Sequence, residues 1–64
     1  MLNQSDKHDK VLSLTARYAS GDLSEPVYEA SLIGLVDKDE RRYLIMLNQT
    51  AHRNSMAYRR RNIL

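Results

Sequence analysis

The first 20 residues place apolar and polar side chains at the spacing of a helix. From residue 6 to residue 19, apolar or half-apolar side chains recur at i, i+3, i+4 and i+7. The members of this stripe are Val11, Leu14, Thr15 and Tyr18. Gly21 follows as a stop signal, because glycine readily adopts the left-handed conformation in which many helices end. The pattern therefore predicts an amphipathic helix over 6–19.

A second helix is predicted after a short connection. Ser24 is a typical N-cap residue, and Glu25 and Pro26 suit the first turn, where proline loses no intrahelical hydrogen bond. Only residues 21–23 separate the two predicted helices. So short a connection makes them antiparallel neighbours, and we expect a helical hairpin.

The end of the second helix has two interpretations. Asp37 and Glu40 have the spacing of a capping box, which would end the second helix near Val36 and begin a third. Alternatively, one helix continues from Glu25 to about Arg60, since neither glycine nor proline lies at the junction itself. We favour the break. Both interpretations give an all-α fold in which a hairpin precedes a long C-terminal helix.

The last helix carries more apolar surface than a short hairpin can cover. Its apolar stripe is expected to face the hairpin and consists of Leu44, Leu47, Ala51 and Tyr58. Tyr43, Ile45 and Met46 widen this arc. A surface outside the hairpin should therefore cover part of the last helix. We expect a homodimer to complete the fold, because a small helical hairpin needs extra burial.

A binding surface for another protein is the second interpretation of the same arc. Met46 and Met56 would then serve as adaptable contacts, because the unbranched thioether side chain can repack against different surfaces. Tyr43 and Tyr58 would serve as anchors, since aromatic residues dominate the binding energy of many interfaces.

Size and composition indicate one small domain over residues 1–64. A chain of 64 residues buries only about 60% of its unfolded surface, so its stability is marginal without further help. Cysteine is absent, which excludes disulfides and thiolate metal sites. Association with a partner or a second copy is the remaining source of stability.

The charge of the chain is divided between its two parts. Residues 1–40 carry four basic and eight acidic side chains, a net charge of −4, whereas residues 41–64 carry six arginines and no acid. Arg42, Arg53 and Arg60 fall within about 20° of one line along the last helix, and Gln49 joins that row. Arginine suits paired hydrogen bonds to carboxylates, so the row predicts a partner protein with an acidic surface. A solvated helix face is the alternative interpretation.

One segment resembles a known family. Residues 12–35 contain a leucine helix, an aromatic residue, a glycine turn, Leu-Ser, and a second helix with Tyr-Glu and a closing leucine. These positions are Leu14, Tyr18, Gly21, Leu23, Ser24, Tyr28, Glu29 and Leu35. Over about 24 of 64 residues the segment is similar to the short helical hairpin called the SHOCT domain. The resemblance implies an oligomerising or interaction role and brings no catalytic residue.

The architecture as a whole is similar to that of many small phage-encoded proteins. Those proteins are free-standing, helical and cysteine-free, and they bind and inhibit host regulators. This similarity implies that the chain is a viral inhibitor that acts in the host cytoplasm.

Catalytic and metal-binding residues are scarce. His8 and His52 are the only imidazoles, and neither has the neighbours of a catalytic base. Asp37, Asp39 and Glu40 form a carboxylate cluster, but a calcium loop needs more oxygen ligands and a glycine at its bend. We therefore expect no enzyme, cofactor or metal site.

Nucleic-acid binding is the alternative function. Residues 29–36 imitate the spacing of a helix-turn-helix, but the following helix begins with Asp39 and Glu40, whose carboxylates would repel phosphates. The remaining possibility is non-specific backbone contact through Arg59, Arg60 and Arg61.

The expected location is the cytoplasm. No stretch approaches the roughly 20 apolar residues of a membrane span, and residues 1–10 lack the apolar centre of a signal peptide. The sequence thus predicts a small helical protein interaction module that binds a target protein and modulates it, with inhibition as the expected effect.

Overall fold

The all-α prediction is confirmed. A computed structural model describes residues 4–63, and the side chains of residues 5–61. It contains α1 (Gln4–Ala19), α2 (Glu25–Leu32) and the long α3 (Lys38–Ile63). The first two helices form the expected hairpin, because Tyr18 contacts Glu25 while the earlier Thr15 contacts the later Tyr28.

The end of α1 is a Schellman motif built around Gly21. This residue has a φ of +84°, the left-handed conformation expected of it. The backbone N–H of Asp22 donates to the carbonyl of Arg17 at 2.8 Å, and that of Gly21 donates to the carbonyl of Tyr18 at 3.0 Å. An ion pair between Arg17 Nε and Asp22 Oδ2 at 2.9 Å links the same two positions through their side chains.

The predicted start of α2 is confirmed, but its predicted end is wrong. Ser24 caps the helix, because its hydroxyl accepts a hydrogen bond from the backbone N–H of Val27 at 3.4 Å. The helix ends at Leu32, four residues before the expected end at Val36.

Gly34 explains the early end of α2. It has a φ of +89°, and Ile33 before it has extended dihedral angles of −62° and 129°. Together with the 3.0 Å hydrogen bond from Leu35 N–H to the Leu32 carbonyl, these values are typical of a type II turn, which favours glycine at its third position. The turn at Gly34 therefore ends α2 before the chain reaches Asp37, the predicted N-cap of α3.

The capping prediction for α3 is confirmed. The Asp37 carboxylate accepts a hydrogen bond from the backbone N–H of Glu40 at 2.8 Å, as an N-cap does. The alternative of one continuous helix from Glu25 to Arg60 is therefore wrong.

The core is small and largely aromatic. Tyr18, Tyr28 and Leu32 are fully buried, and Ile45 of α3 is 9% exposed. The two tyrosine rings stack with centroids 4.4 Å apart. A ring of half-buried apolar side chains surrounds them and comprises Val11, Leu14, Leu23, Val36 and Leu44. All three helices contribute to this cluster.

The expected orientation of α3 is wrong. Of the stripe that should face the hairpin, only Leu44 packs against the core, whereas Leu47, Ala51 and Tyr58 are exposed. Ile45, expected only at the margin of the arc, is the buried residue instead.

Hydrogen bonding explains this orientation. The last carbonyls of a helix lack partners within the helix, and α3 supplies donors to three consecutive carbonyls at the end of α1. The pairs are His52 with Tyr18 at 2.8 Å, Ser55 with Ala19 at 2.7 Å and Arg59 with Ser20 at 3.0 Å. Because a polar row faces the hairpin there, Leu47, Ala51 and Tyr58 of α3 project away from it.

Candidate functional site

The outward part of α3 presents two surfaces, which we name by their side chains. The arginine–methionine stripe consists of Arg42, Met46, Arg53, Met56 and Arg60. The tyrosine face consists of Tyr43, Leu47, Thr50, Asn54 and Tyr58. At 100° per residue, each set lies within about 40° of its own line, and the two lines are roughly 120° apart around the helix.

All members of the arginine–methionine stripe are exposed. Met46 is 66% exposed and Met56 is 41% exposed, so the two thioethers lie between guanidinium groups at the surface. The residue spacing of 4, 7, 3 and 4 keeps the five side chains in one row. The structure therefore brings together five of the eight residues that the sequence predicts for partner binding.

Gln49 lies at the inner edge of this stripe. It is half-buried, and its Nε2 donates a hydrogen bond to Glu25 Oε1 at 3.3 Å. The same carboxylate oxygen accepts a hydrogen bond from the Tyr18 hydroxyl at 3.0 Å. The Gln49 side chain therefore links α3 to the hairpin in the free protein.

The protonation equilibrium of Tyr18 is perturbed. Burial raises the pKa of Tyr18 to about 12, and the hydrogen bond to Glu25 and the charge of Glu25 add to the rise, while Arg53 opposes it. The phenol therefore stays protonated and donates to Glu25 over the whole physiological range. This arrangement stabilises the fold.

The two ends of the stripe differ in electrostatic surroundings. Arg42 lines an open groove between α2 and α3 together with Glu25, Glu29 and Asp39. Residues 53–61 instead contain four arginines and no carboxylate. Positive charge is therefore offset at the beginning of the stripe and concentrated at its end.

The tyrosine face is the second large exposed surface. Tyr43, Leu47 and Tyr58 are each more than half exposed, and Tyr58 reaches 67%. Between them lie Thr50 and Ala51, two small exposed residues. These two tyrosines were expected as anchors for a partner, and they lie apart from the methionines around the helix.

Sequence reasoning missed the polar row on the inner side of α3. His52, Ser55 and Arg59 are spaced by three and four residues, which places them on one helix face. A polar row at helical spacing usually indicates a solvent-facing side, so this pattern gave no signal of packing.

Residues 4–63 are the part of the chain in which metal-binding and membrane-spanning features can be assessed from the structure. That part of the chain contains no group of three or more histidine and carboxylate side chains arranged to hold a metal ion. None of its helices is long and apolar enough to cross a membrane.

No family model, curated protein or solved structure matches this chain. The arginine–methionine stripe and the tyrosine face are the two candidate surfaces.

Proposed function

We propose that this chain is a protein interaction module that binds an acidic target protein through the arginine–methionine stripe and inhibits it by covering its surface. The observation that carries the proposal is the row itself, in which Arg42, Arg53 and Arg60 alternate with two exposed methionines. Occupation of a surface is the mode of action that we propose.

The chemistry of the stripe suits a protein partner with mixed acidic and apolar character. Arginine forms paired, directed hydrogen bonds with carboxylates, and methionine packs against irregular apolar surfaces. Arg42 and Arg60 are 18 residues apart, so the row extends for about 27 Å along the helix. A row of this length fits a helix or an elongated ridge of the target.

The stripe is presented on a preformed support. His52, Ser55 and Arg59 fasten α3 to the end of α1, and Ile45 anchors it in the core. A helix that is ordered before binding loses less conformational entropy in the complex. This rigidity supports a direct docking role.

The architectural similarity to small phage-encoded inhibitors supports inhibition as the effect and the cytoplasm as the location. Self-association, which the sequence also favours, would use the tyrosine face. The two kinds of contact therefore do not compete for the same side chains.

Nucleic-acid binding is the second candidate. The observation in its favour is the concentration of Arg53, Arg59, Arg60 and Arg61 at the end of α3. The carboxylates beside Arg42 would repel phosphates, so contact would be restricted to the last turns of the helix. Such binding would be non-specific and strongly dependent on salt.

Site-specific cross-linking can identify the target. A photoreactive amino acid at position 46 should link the protein to its target in the cells that express it, whereas the same group at position 12 should not. Leu12 is a matched control, because it is also more than half exposed but lies on α1. Equal cross-linking from both positions would contradict docking through the stripe.

Affinity measurements with the identified target then separate the two functions. Replacing Arg42, Arg53 and Arg60 together by lysine should weaken binding to an acidic protein, because lysine keeps the charge but loses the planar fork. The lysine variant should bind random duplex DNA with nearly unchanged affinity. Each alanine substitution should reduce, by about one unit, the slope of the logarithm of DNA affinity against the logarithm of salt concentration. If the triple alanine variant keeps full affinity for both, the row is only a solvated face.

A further inference from the structure

The tyrosine face is an apolar surface that the hairpin leaves uncovered. Leu47 is 61% exposed and Tyr58 is 67% exposed, although buried leucines and tyrosines contribute most to small cores. We propose that a second copy of this chain covers the face, through antiparallel pairing of two α3 helices about a two-fold axis. This inference concerns different side chains from those of the arginine–methionine stripe and does not depend on it.

The charges at the two ends of α3 favour antiparallel pairing. On the side of the tyrosine face, its first turn carries Asp39 and Glu40 and its last described turn carries Arg61. The other basic residues near the two ends, Lys38, Arg41, Arg42 and Arg60, project to other sides of the helix. An antiparallel arrangement places each acidic end beside the basic end of the other copy. A parallel arrangement would place like charges together, which is unfavourable.

The spacing of the side chains along α3 defines one register for the antiparallel pair, in which Thr50 lies at the centre. Asp39 and Arg61 are each 11 residues from Thr50, while Tyr43 is 7 residues before it and Tyr58 is 8 residues after it. In this register Asp39 pairs with Arg61 of the second copy, and Tyr43 packs against Tyr58 of the second copy. One register therefore allows both the ion pairs and the tyrosine contacts to form.

Small side chains lie where the two helices would approach most closely. Thr50 and Ala51 are both exposed at the centre of the register. Helix axes can approach to about 8 Å when the residues at the contact are small. Leu47 lies one turn before this centre, so each copy would bury its leucine beside the crossing.

A two-fold arrangement also gives a closed assembly. Each copy contributes the same patch, so the dimer buries both tyrosine faces and leaves neither for a third copy. The arginine–methionine stripe lies roughly 120° away around each α3 and stays accessible in the dimer.

Sedimentation and light scattering of the full chain test the assembly. We expect a mass of twice 7.4 kDa at tens of micromolar. Leu47→Glu should give a folded monomer, because Leu47 makes little contact within one chain, whereas Leu12→Glu on α1 should remain a dimer. Circular dichroism checks that both variants keep their helices. A folded wild-type monomer at these concentrations, or equal loss of dimer in both variants, would overturn the proposal.

Charge reversal tests the antiparallel direction. Asp39→Arg and Arg61→Asp should each weaken the dimer severalfold at low salt, and the double variant should regain most of the wild-type affinity. These residues are exposed, so the variants are expected to fold. A double variant that is as weak as the sum of the two single changes would contradict the pairing.

A single engineered cysteine tests the register. The natural chain contains no cysteine, so Thr50→Cys introduces one thiol that should meet its copy at the two-fold axis and form an intermolecular disulfide under oxidising conditions. Ser13→Cys on the exposed side of α1 is the control and should remain largely reduced. Equal disulfide formation at the two positions would exclude a register centred at Thr50.

Discussion

The imidazole of His52 stacks on the phenol ring of Tyr18 with ring centroids 4.3 Å apart, while its Nδ1 lies 2.8 Å from the Tyr18 carbonyl oxygen. A carbonyl can only accept, so Nδ1 carries the proton and donates. The other side of the Tyr18 ring stacks on Tyr28. One column of three rings therefore joins residues from α1, α2 and α3.

Two substitutions at position 52 should separate the stack from the hydrogen bond. His52→Phe keeps an aromatic ring but removes the donor, and we expect a loss of about 1 kcal/mol in the free energy of unfolding. His52→Ala removes both interactions and should cost about 2 kcal/mol. Urea unfolding at one fixed protein concentration measures both values. Equal costs would mean that the stack contributes nothing. Ser13→Ala, at an exposed position of α1, serves as the control.

The two glycines with positive φ provide a matched pair of tests. Gly21→Ala and Gly34→Ala should each cost about 1 kcal/mol, because both residues are in the left-handed conformation. A Cβ at position 21 would also lie 3.3 Å from Ser55 Cβ and from Arg59 Nε, whereas one at position 34 would meet nothing within 4 Å. Gly21→Ala should therefore be the more destabilising change by thermal unfolding. A larger effect at Gly34 would contradict the close approach of α3 to the first turn.

Ser24→Ala tests the cap of α2. Loss of the hydroxyl that accepts from Val27 N–H should cost about 1 kcal/mol. Ser20→Ala is the control and should be nearly silent by the same unfolding measurement. Its hydroxyl donates only a solvent-exposed hydrogen bond to the Arg17 carbonyl, which also accepts from Asp22 N–H, and its own carbonyl, which Arg59 contacts, is unchanged. Similar effects of the two changes would contradict the assignment of Ser24 as the cap.

Local signals in the sequence predicted much of the fold. The Gly21 stop, the Ser24 cap and the Asp37 cap are each decided by hydrogen bonds within a few residues, and all three are present. The end of α2 was misplaced because a type II turn at Gly34 acts before the cap at Asp37. Where two local signals compete, spacing alone does not say which one ends the helix.

The orientation of α3 depends on contacts far along the chain, which periodicity does not reveal. His52 and Tyr18 are 34 residues apart, and Ser55 and Ala19 are 36 residues apart. The apolar stripe of α3 was assigned to the hairpin because burial of leucine usually decides which face packs. Here the carbonyls at the end of α1 accept hydrogen bonds from a polar face of α3. This packing determines which of the predicted binding residues share a face, and periodicity does not reveal it.

A comparison of Ile45 and Leu47 tests the rotation of α3 directly. Ile45→Ala should cost about 2 to 5 kcal/mol, the usual range for a buried aliphatic side chain, because Ile45 is 9% exposed. Leu47→Ala should cost less than about 1 kcal/mol in protein dilute enough to be monomeric, since surface substitutions have small effects. Unfolding monitored by circular dichroism measures both. A larger cost for Leu47→Ala than for Ile45→Ala would mean that α3 packs on the hairpin through the face that periodicity predicts.

The buried phenol of Tyr18 makes stability depend on pH in the alkaline range. Its pKa rises from 10.0 to about 12 in the folded chain, chiefly because burial disfavours the tyrosinate and also because the phenol donates to Glu25. A group whose pKa is higher in the folded state contributes fully to stability below its unfolded pKa and loses that contribution as the pH rises through the folded value. We therefore expect the stability of the protein to fall between about pH 10 and pH 12.

Tyr18→Phe is the variant that tests this assignment. Phenylalanine retains the stack with Tyr28 and His52 but has no proton to lose, so the part of the alkaline loss due to Tyr18 should disappear. At neutral pH the variant should lose about 1 kcal/mol, because the hydrogen bond to Glu25 is gone. Unfolding measured across the alkaline range, with tyrosinate absorbance recorded in parallel, follows both effects. Tyr58→Phe, which alters a ring that is exposed in one chain, is the control and should leave the alkaline loss unchanged in protein dilute enough to be monomeric. An unchanged pH profile in Tyr18→Phe would assign the alkaline loss to other groups.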